Sequence, residues 1–328
     1  MIKNQLMIVM YHYVREIKNS RYPNIKGLEK DDFIEQIDFL AEKYNIVTME
    51  QVIDAVNGKS ELVDNAVLLT FDDGYIDHYV NAFPILAARN VQGSFFIPSE
   101  SVVEHKLLNV NKIHFILASG QINEIVKDIF IYLDEYRLQG YDIEANEILF
   151  NRLAVASRFD DKETIFVKRL LQHALDEKLS SLIASKLFAK YVKIDEKIFA
   201  KELYLNLEQI RHMKQAGMYI GMHGHGHYWL GKIKDTDMKK DISQGYEHLK
   251  EFMNEKYLVM NYPYGSYNEK TIEYVKDIGC KIGLGTEVGI VNIKDDNLFT
   301  YKRLDTNDLP PKSNKYLEYE EINDKNEI

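Results

Sequence analysis

The sequence predicts an α/β fold: a barrel of roughly seven to eight parallel strands, incompletely closed and interrupted by a mostly helical insertion. Three observations predict it. Short apolar runs alternate with helix-period segments along residues 1–106 and again along 201–311, the rhythm of βα units. The run Ala66–Leu69 leads into Thr70, Phe71, Asp72, Asp73 and Gly74 without polar alternation, as a strand buried on both faces does. Between 107 and 200 strand signals vanish and helical periodicity takes over.

Leu6 to Tyr11 reads as the first core strand, with His12 at its C-terminal end. Ser20 to Lys30 holds Pro23 and Gly27 and reads as a loop over the sheet. Phe33, Ile37, Leu40 and Ala41 fall at helical spacing in Asp31–Tyr44. Ile46–Val47 is a short strand, and Thr48 opens a helix that ends at Gly58. After Gly74 a helix over Asp77–Asn90 carries Pro84 near its middle, a predicted kink. Gly93 to Pro98 is the next strand.

The insertion, 107–200, contains helical patterns at Ile122–Tyr136, Ala145–Phe159, Thr164–Leu175 and Leu179–Val192. It offers a lid over the sheet mouth, a subunit interface between copies of the chain, or both, and its Tyr and Phe residues suit a core better than a sugar platform. Leu207–Ala216 resumes the βα alternation, with strands at Met218–Met222, Tyr257–Met260, Lys281–Gly285 and Phe299–Leu304. Helices at Asp237–Asn254 and Lys270–Ile278 lie between them. From 312 to 328 the chain reads as an acidic, mobile tail.

A formal net charge of −10 argues against nucleic acid or an anionic membrane surface as a partner. The single cysteine, Cys280, allows no intrachain disulfide and sits in an apolar stretch, as a small buried hydrophobe would. The opening residues lack a signal-peptide pattern and no run of about 18 apolar residues occurs, so the cytoplasm is the expected compartment.

Two features carry chemistry. Asp72 and Asp73 stand at a strand's C-terminal end, where barrels and open α/β sheets place their ligands. Successive strand residues point opposite ways, so both can serve one site only if the backbone bends there. His223, His225 and His227 alternate with glycines directly after another strand. Two histidines at i and i+4, joined by a carboxylate from elsewhere, make a three-ligand metal site with a position left for water.

These stretches, TFDDG at 70–74, His223 and His227, and the YPYG at 262–265, resemble the successive motifs of the polysaccharide deacetylase family, carbohydrate esterase family four of the NodB-homology type. The resemblance spans Leu6 to Arg303 apart from the insertion. It implies a distorted (β/α) barrel and a metal-dependent hydrolase that removes N-acetyl groups from an amino sugar in a polysaccharide, glycolipid or nucleotide-sugar precursor. It implies metal ligation by Asp73, His223 and His227, with zinc the usual ion and cobalt or nickel also suited to two histidines and an aspartate. Asp72 would be the general base and the backbone N–H of Tyr264 an oxyanion donor. Asn261, Tyr262, Pro263 and Arg303 would face the substrate. His225 falls at a variable motif position and is not expected to be a ligand.

The sequence departs from the family pattern twice. The usual arginine two residues before the motif proline is replaced by Asn261, and no histidine follows His248 to supply the usual acid. His12 is the best replacement acid. A histidine on an early strand end beside an arginine-less YPYG resembles the branch of bacterial poly-N-acetylglucosamine deacetylases. Arg303 is a candidate for the missing arginine. Two competing readings are a catalytically inactive carbohydrate-binding barrel and a metal hydrolase of another amide or ester bond. The intact set of Asp72, Asp73, His223 and His227 weighs against the first, and the scarcity of basic residues in the motifs weighs against a phosphoester substrate.

Overall fold

The computed structural model describes residues 4–156 and 160–325. The chain divides into two compact units. One comprises Met1–Arg15, Gly27–His105 and Lys201–Ile328, and the other Glu16–Lys26 and Lys106–Ala200.

The first unit is built on a mostly parallel sheet. Its strands are β1 (Gln5–Tyr11), then a short pair β2 (Val14–Arg15) and β3 (Leu28–Glu29) that forms a separate two-stranded sheet. There follow β4 (Asn45–Ile46), β5 (Ala66–Asp72), β6 (Ser94–Ile97), β7 (Tyr219–Met222), β8 (Val259–Asn261), β9 (Ile282–Leu284), β10 (Val291–Asn292) and β11 (Leu304–Asp305). The order β1-β5-β6-β7-β8-β9 is parallel throughout, while β10 runs antiparallel to β1 and β4 flanks β5.

The ring is completed by one short segment. Tyr301 bridges Leu284 of β9 in parallel, and Leu304 pairs with Val9 of β1. The sequence reading of a single strand over Phe299–Leu304 is corrected to an isolated bridge followed by the two-residue β11. Two partners are reached in succession because the segment must step from one edge of the sheet to the other. Arg303 lies between the two contacts.

Residues from successive strands meet in one cluster: Leu6 and Ile8, Ala66 and Leu68, Phe96, Tyr219, Val259, Ile282 and Leu284, and Tyr301. Their two-residue spacing and their origin all round the ring are those of a barrel interior. Every residue of β5 is buried, as expected of a strand covered on both faces. Each fully buried Leu or Ile contributes about 2 kcal/mol relative to exposure.

Pro84 is accommodated differently from the predicted kink. His78–Ala82 forms a π-helical turn and Phe83–Ala88 an α-helix with Pro84 in its first turn, where its missing N–H costs little. The tail expected to be mobile from 312 instead includes an α-helix over Tyr316–Lys325. Tyr316 packs edge-on against Phe39, and the Tyr44 hydroxyl donates to Glu320 at 2.6 Å, so two tyrosines give this acidic segment an anchor.

The second unit is helical, with helices over Asn109–Ser119, Ile122–Leu138, Asn146–Leu153, Lys162–Arg169 and Glu177–Tyr191. The helix expected over Ala145–Phe159 stops at Leu153, and 157–159 lie outside the described residues. Phe115 and Phe166 are fully buried, and Phe115 and Phe188 pack edge-on against Phe199. Of the stretch Ser20–Lys30, read as a loop over the sheet, residues 20–26 group with this unit as part of Glu16–Lys26: Tyr22 packs against Phe115 and Phe199, and Lys26 pairs with Asp160. Among the described residues no helix is long and apolar enough to cross a membrane.

Candidate active site

Strand register gathers the chemistry at one end of the ring. Tyr11 pairs with Phe71, so the next residues on the two strands, His12 and Asp72, are neighbours. Met222 pairs with Met260, which brings His223 beside Asn261. Each of these residues stands at the C-terminal end of a parallel strand.

The bend that the aspartate pair requires is present. Asp73 has φ +76° and Gly74 φ +65°. Two successive left-handed residues break the strand alternation, so both carboxylates serve the same mouth. For a non-glycine residue that conformation costs on the order of 1–2 kcal/mol. At Gly74 space decides as well, because a Cβ would lie 2.8 Å from Ile97.

Asp73 Oδ1 lies 3.3 Å from His223 Nε2 and 3.1 Å from His227 Nε2. All three side chains are buried. Asp73 Oδ1 accepts no hydrogen bond, and its other oxygen accepts one from the Tyr75 hydroxyl. The His223 Nδ1–H donates to the Asn261 carbonyl at 2.7 Å, which leaves Nε2 with its lone pair. An unsatisfied buried carboxylate oxygen facing two imidazole nitrogens is an arrangement that a divalent cation satisfies, so these residues fit the predicted metal. Burial alone would raise the Asp73 carboxyl, but positive charge at the histidines, when they are protonated rather than bound to a cation, outweighs it and holds it well below the usual range.

Asp72 is held by different partners. Arg303 donates from Nη1 to Oδ1 at 2.9 Å and from Nη2 to Oδ2 at 2.8 Å. Asn261 Nδ2 donates to Oδ1 at 2.6 Å. Burial works to raise this carboxyl too, and the Arg303 guanidinium brings it below its ordinary value. His12 Nε2 stands 3.9 Å from Asp72 Oδ2, with its side chain 40% exposed. The imidazole of His78, fully buried, hydrogen-bonds to the His12 carbonyl at 3.0 Å and fixes the strand end that carries His12.

The structure corrects the expected substrate-side residues. Asn261 and Arg303 are buried and occupied with Asp72, so they position a carboxylate rather than face a ligand. Tyr262 is fully buried among Met260, Val275 and Cys280, with its ring beside Tyr267. Pro263 is buried as well. The reason is local: β8 ends at Asn261, so Asn261 and the residues after it enter the core at the edge of the mouth. Tyr264 alone turns outward, with φ +57°, its ring edge-on to His227 and stacked on Trp229.

The histidine loop is braced from behind by a residue that sequence reasoning missed. Asp241, on the helix Asp235–Leu249, accepts the N–H of His225 at 3.0 Å and of Gly226 at 2.7 Å. A side chain at Gly245 of the same helix would meet the Gly224 carbonyl at 2.6 Å. Nothing in the helix pattern singles Asp241 out beyond its being a charged residue on a buried face. His225 points away from Asp73, toward Ser99 and Glu104.

Comparison with known proteins agrees with this fold. The profile of the polysaccharide deacetylase family matches residues 59–130 and 152–283, more than half of the chain. The YxkH protein of Bacillus subtilis (strain 168) is 18% identical over 301 residues, covering 92% of this chain and 71% of that one. A stretch of 87 residues, 26% of this chain, is 34% identical to 12% of the poly-beta-1,6-N-acetyl-D-glucosamine N-deacetylase of Escherichia coli (strain K12). Among solved structures, the Streptococcus pyogenes deacetylase PplD in complex with acetate superposes with a TM-score of 0.59 at 18% identity, over 97% of this chain and 98% of that one. IcaB from Ammonifex degensii gives 0.56 at 19% identity, over 95% of each chain. At those identities the structural likeness is one of fold.

Proposed function

We propose a function for a chain that belongs to the polysaccharide deacetylase family: metal-dependent hydrolysis of the N-acetyl group of an amino sugar in a polysaccharide, glycolipid or nucleotide-sugar precursor. The observation that carries it is the division of labour between adjacent carboxylates. Asp73 converges with two histidines, while Asp72 is locked to Arg303 and Asn261.

Asp73, His223 and His227 would hold the ion, zinc or alternatively cobalt or nickel. When bound, it supplies a Lewis acid and an acidified water. Asp72, kept ionised by Arg303, takes a proton as water adds to the acetyl carbon. The Tyr264 N–H stabilises the developing oxyanion. His12, across from Asp72, gives a proton to the departing nitrogen as the C–N bond breaks, and acetate and a free amine result. The local likeness to an enzyme named for poly-beta-1,6-N-acetyl-D-glucosamine supports such oligomers as the first substrates to offer.

The test is acetate release from N-acetylglucosamine oligomers by the parent and by Asp72→Asn. The reading expects release by the parent and a loss of about 10²-fold or more in the variant, with metal content unchanged. Equal rates in the two proteins would contradict it.

A further inference from the structure

The two oxygens of Asp73 have different surroundings. Oδ1 faces the histidine nitrogens and accepts no hydrogen bond, while Oδ2 lies 2.5 Å from the Tyr75 hydroxyl. We propose that Tyr75 is a positioning residue of the metal centre: its hydroxyl occupies Oδ2, so that Asp73 offers a single donor atom, Oδ1, to the ion. The inference rests on the reading of Asp73, His223 and His227 as metal ligands.

The direction of the hydrogen bond follows from the chemistry of the two groups. A carboxylate that ligates a metal is ionised and only accepts, and a phenol has one proton to give. Tyr13 also hydrogen-bonds to Tyr75. With its own proton on Asp73, the Tyr75 oxygen is the acceptor there.

The fold holds Tyr75 in place independently of Asp73. Its ring is fully buried. It stacks on Tyr13 with 4.0 Å between ring centroids and 21° between planes, and runs nearly parallel to the ring of Tyr204 at 6.2 Å. The backbone is pinned as well: Tyr75 forms an antiparallel bridge with Tyr204, and the Leu205 N–H donates to the Gly74 carbonyl at 2.9 Å. The left-handed pair Asp73 and Gly74 turns the chain so that a side chain two residues on comes back to the carboxylate. An unheld aspartate can turn about its last side-chain bond and exchange its oxygens, or present both to one ion. A hydroxyl fixed on Oδ2 resists both. Three protein donors then remain, two imidazole nitrogens and one oxygen, the number that leaves a catalytic site open to water. Hydrogen-bond partners of ligating groups are worth about 10–100-fold in metal affinity.

The test reads metal binding rather than turnover. Tyr75→Phe removes the hydroxyl and keeps the ring that packs on Tyr13 and Tyr204. Tyr13→Phe removes a hydroxyl from the same stack without touching Asp73. Tag-free full chain is stripped with chelator, and zinc affinity is measured by competition with a chromophoric chelator for the parent, both phenylalanine variants and Asp73→Ala. Cobalt(II) is then added to the stripped parent and the phenylalanine variants, and the visible spectra are recorded. Tyr75→Phe should bind zinc at least about tenfold more weakly than the parent, and its cobalt spectrum should differ from the parent's. Tyr13→Phe should show neither change. A loss of less than about tenfold in Tyr75→Phe, a parent-like cobalt spectrum in that variant, or an equal loss in Tyr13→Phe would overturn the proposal. A parent that binds no zinc, or binds it as tightly after Asp73→Ala, would overturn the metal assignment itself and this inference with it.

Discussion

Arg303 and Asp72, 231 residues apart in sequence, meet through two parallel hydrogen bonds inside the barrel mouth. The guanidinium is buried and its remaining N–H groups are also used, on the Gly285 carbonyl, Thr70 Oγ1 and Asn261 Oδ1. Because Arg303 sits in the segment that closes the ring, completion of the barrel and orientation of the base are one structural event.

Arg303→Met removes the charge at similar volume and strands a buried carboxylate. Unfolding free energy should fall by about 3–5 kcal/mol in denaturant titration. Arg303 holds the Asp72 carboxyl low and burial pushes it up, so without the arginine the carboxyl titrates at higher pH. A base works only when ionised. The acid limb of the pH–rate profile should therefore move to higher pH, and an unmoved limb in a folded variant would show that Asp72 is not the base.

Arg303→Lys keeps the charge but not the fork that meets both carboxylate oxygens. It should retain bound metal and more stability than Arg303→Met, yet lose about 10-fold or more in kcat. Steady-state rates alongside metal content check this.

His12→Gln should lower kcat by about 10²-fold while zinc content stays that of the parent, since His12 is outside the ligand set. A parent-like rate would move the acid role to another group.

Cys280 is buried in the core and its thiol is pushed up to about 12 by desolvation. Native protein at pH 8 should resist a thiol reagent such as iodoacetamide, and one equivalent should react after denaturation. Fast native labelling would mean that this part of the core opens readily.

Much of this was legible in the sequence. The unalternating run before Asp72 announced a doubly covered strand, and the HGHGH spacing announced convergent imidazoles. The partnership of Arg303 with Asn261 was not, because it depends on the register of a closing segment whose pairing is split between two strands. Asn261 resembled a departure from a motif, whereas in the fold it shares the base with Arg303. Tyr262 was misplaced for the converse reason: a motif tyrosine looks available, but the residues after β8 turn into the core. Asp241 gave no signal, since a helical aspartate acquires its role only from the loop that packs on it.

The most direct test of the central claim pairs metal content with acetate release on one preparation. Protein stripped by a chelator should release no acetate from N-acetylglucosamine oligomers, and returning zinc should restore it in the parent but not in Asp73→Ala or His227→Ala. Acetate release that survives metal removal, or that zinc restores equally in both variants, would contradict the assignment of Asp73, His223 and His227 as the metal centre of a deacetylase.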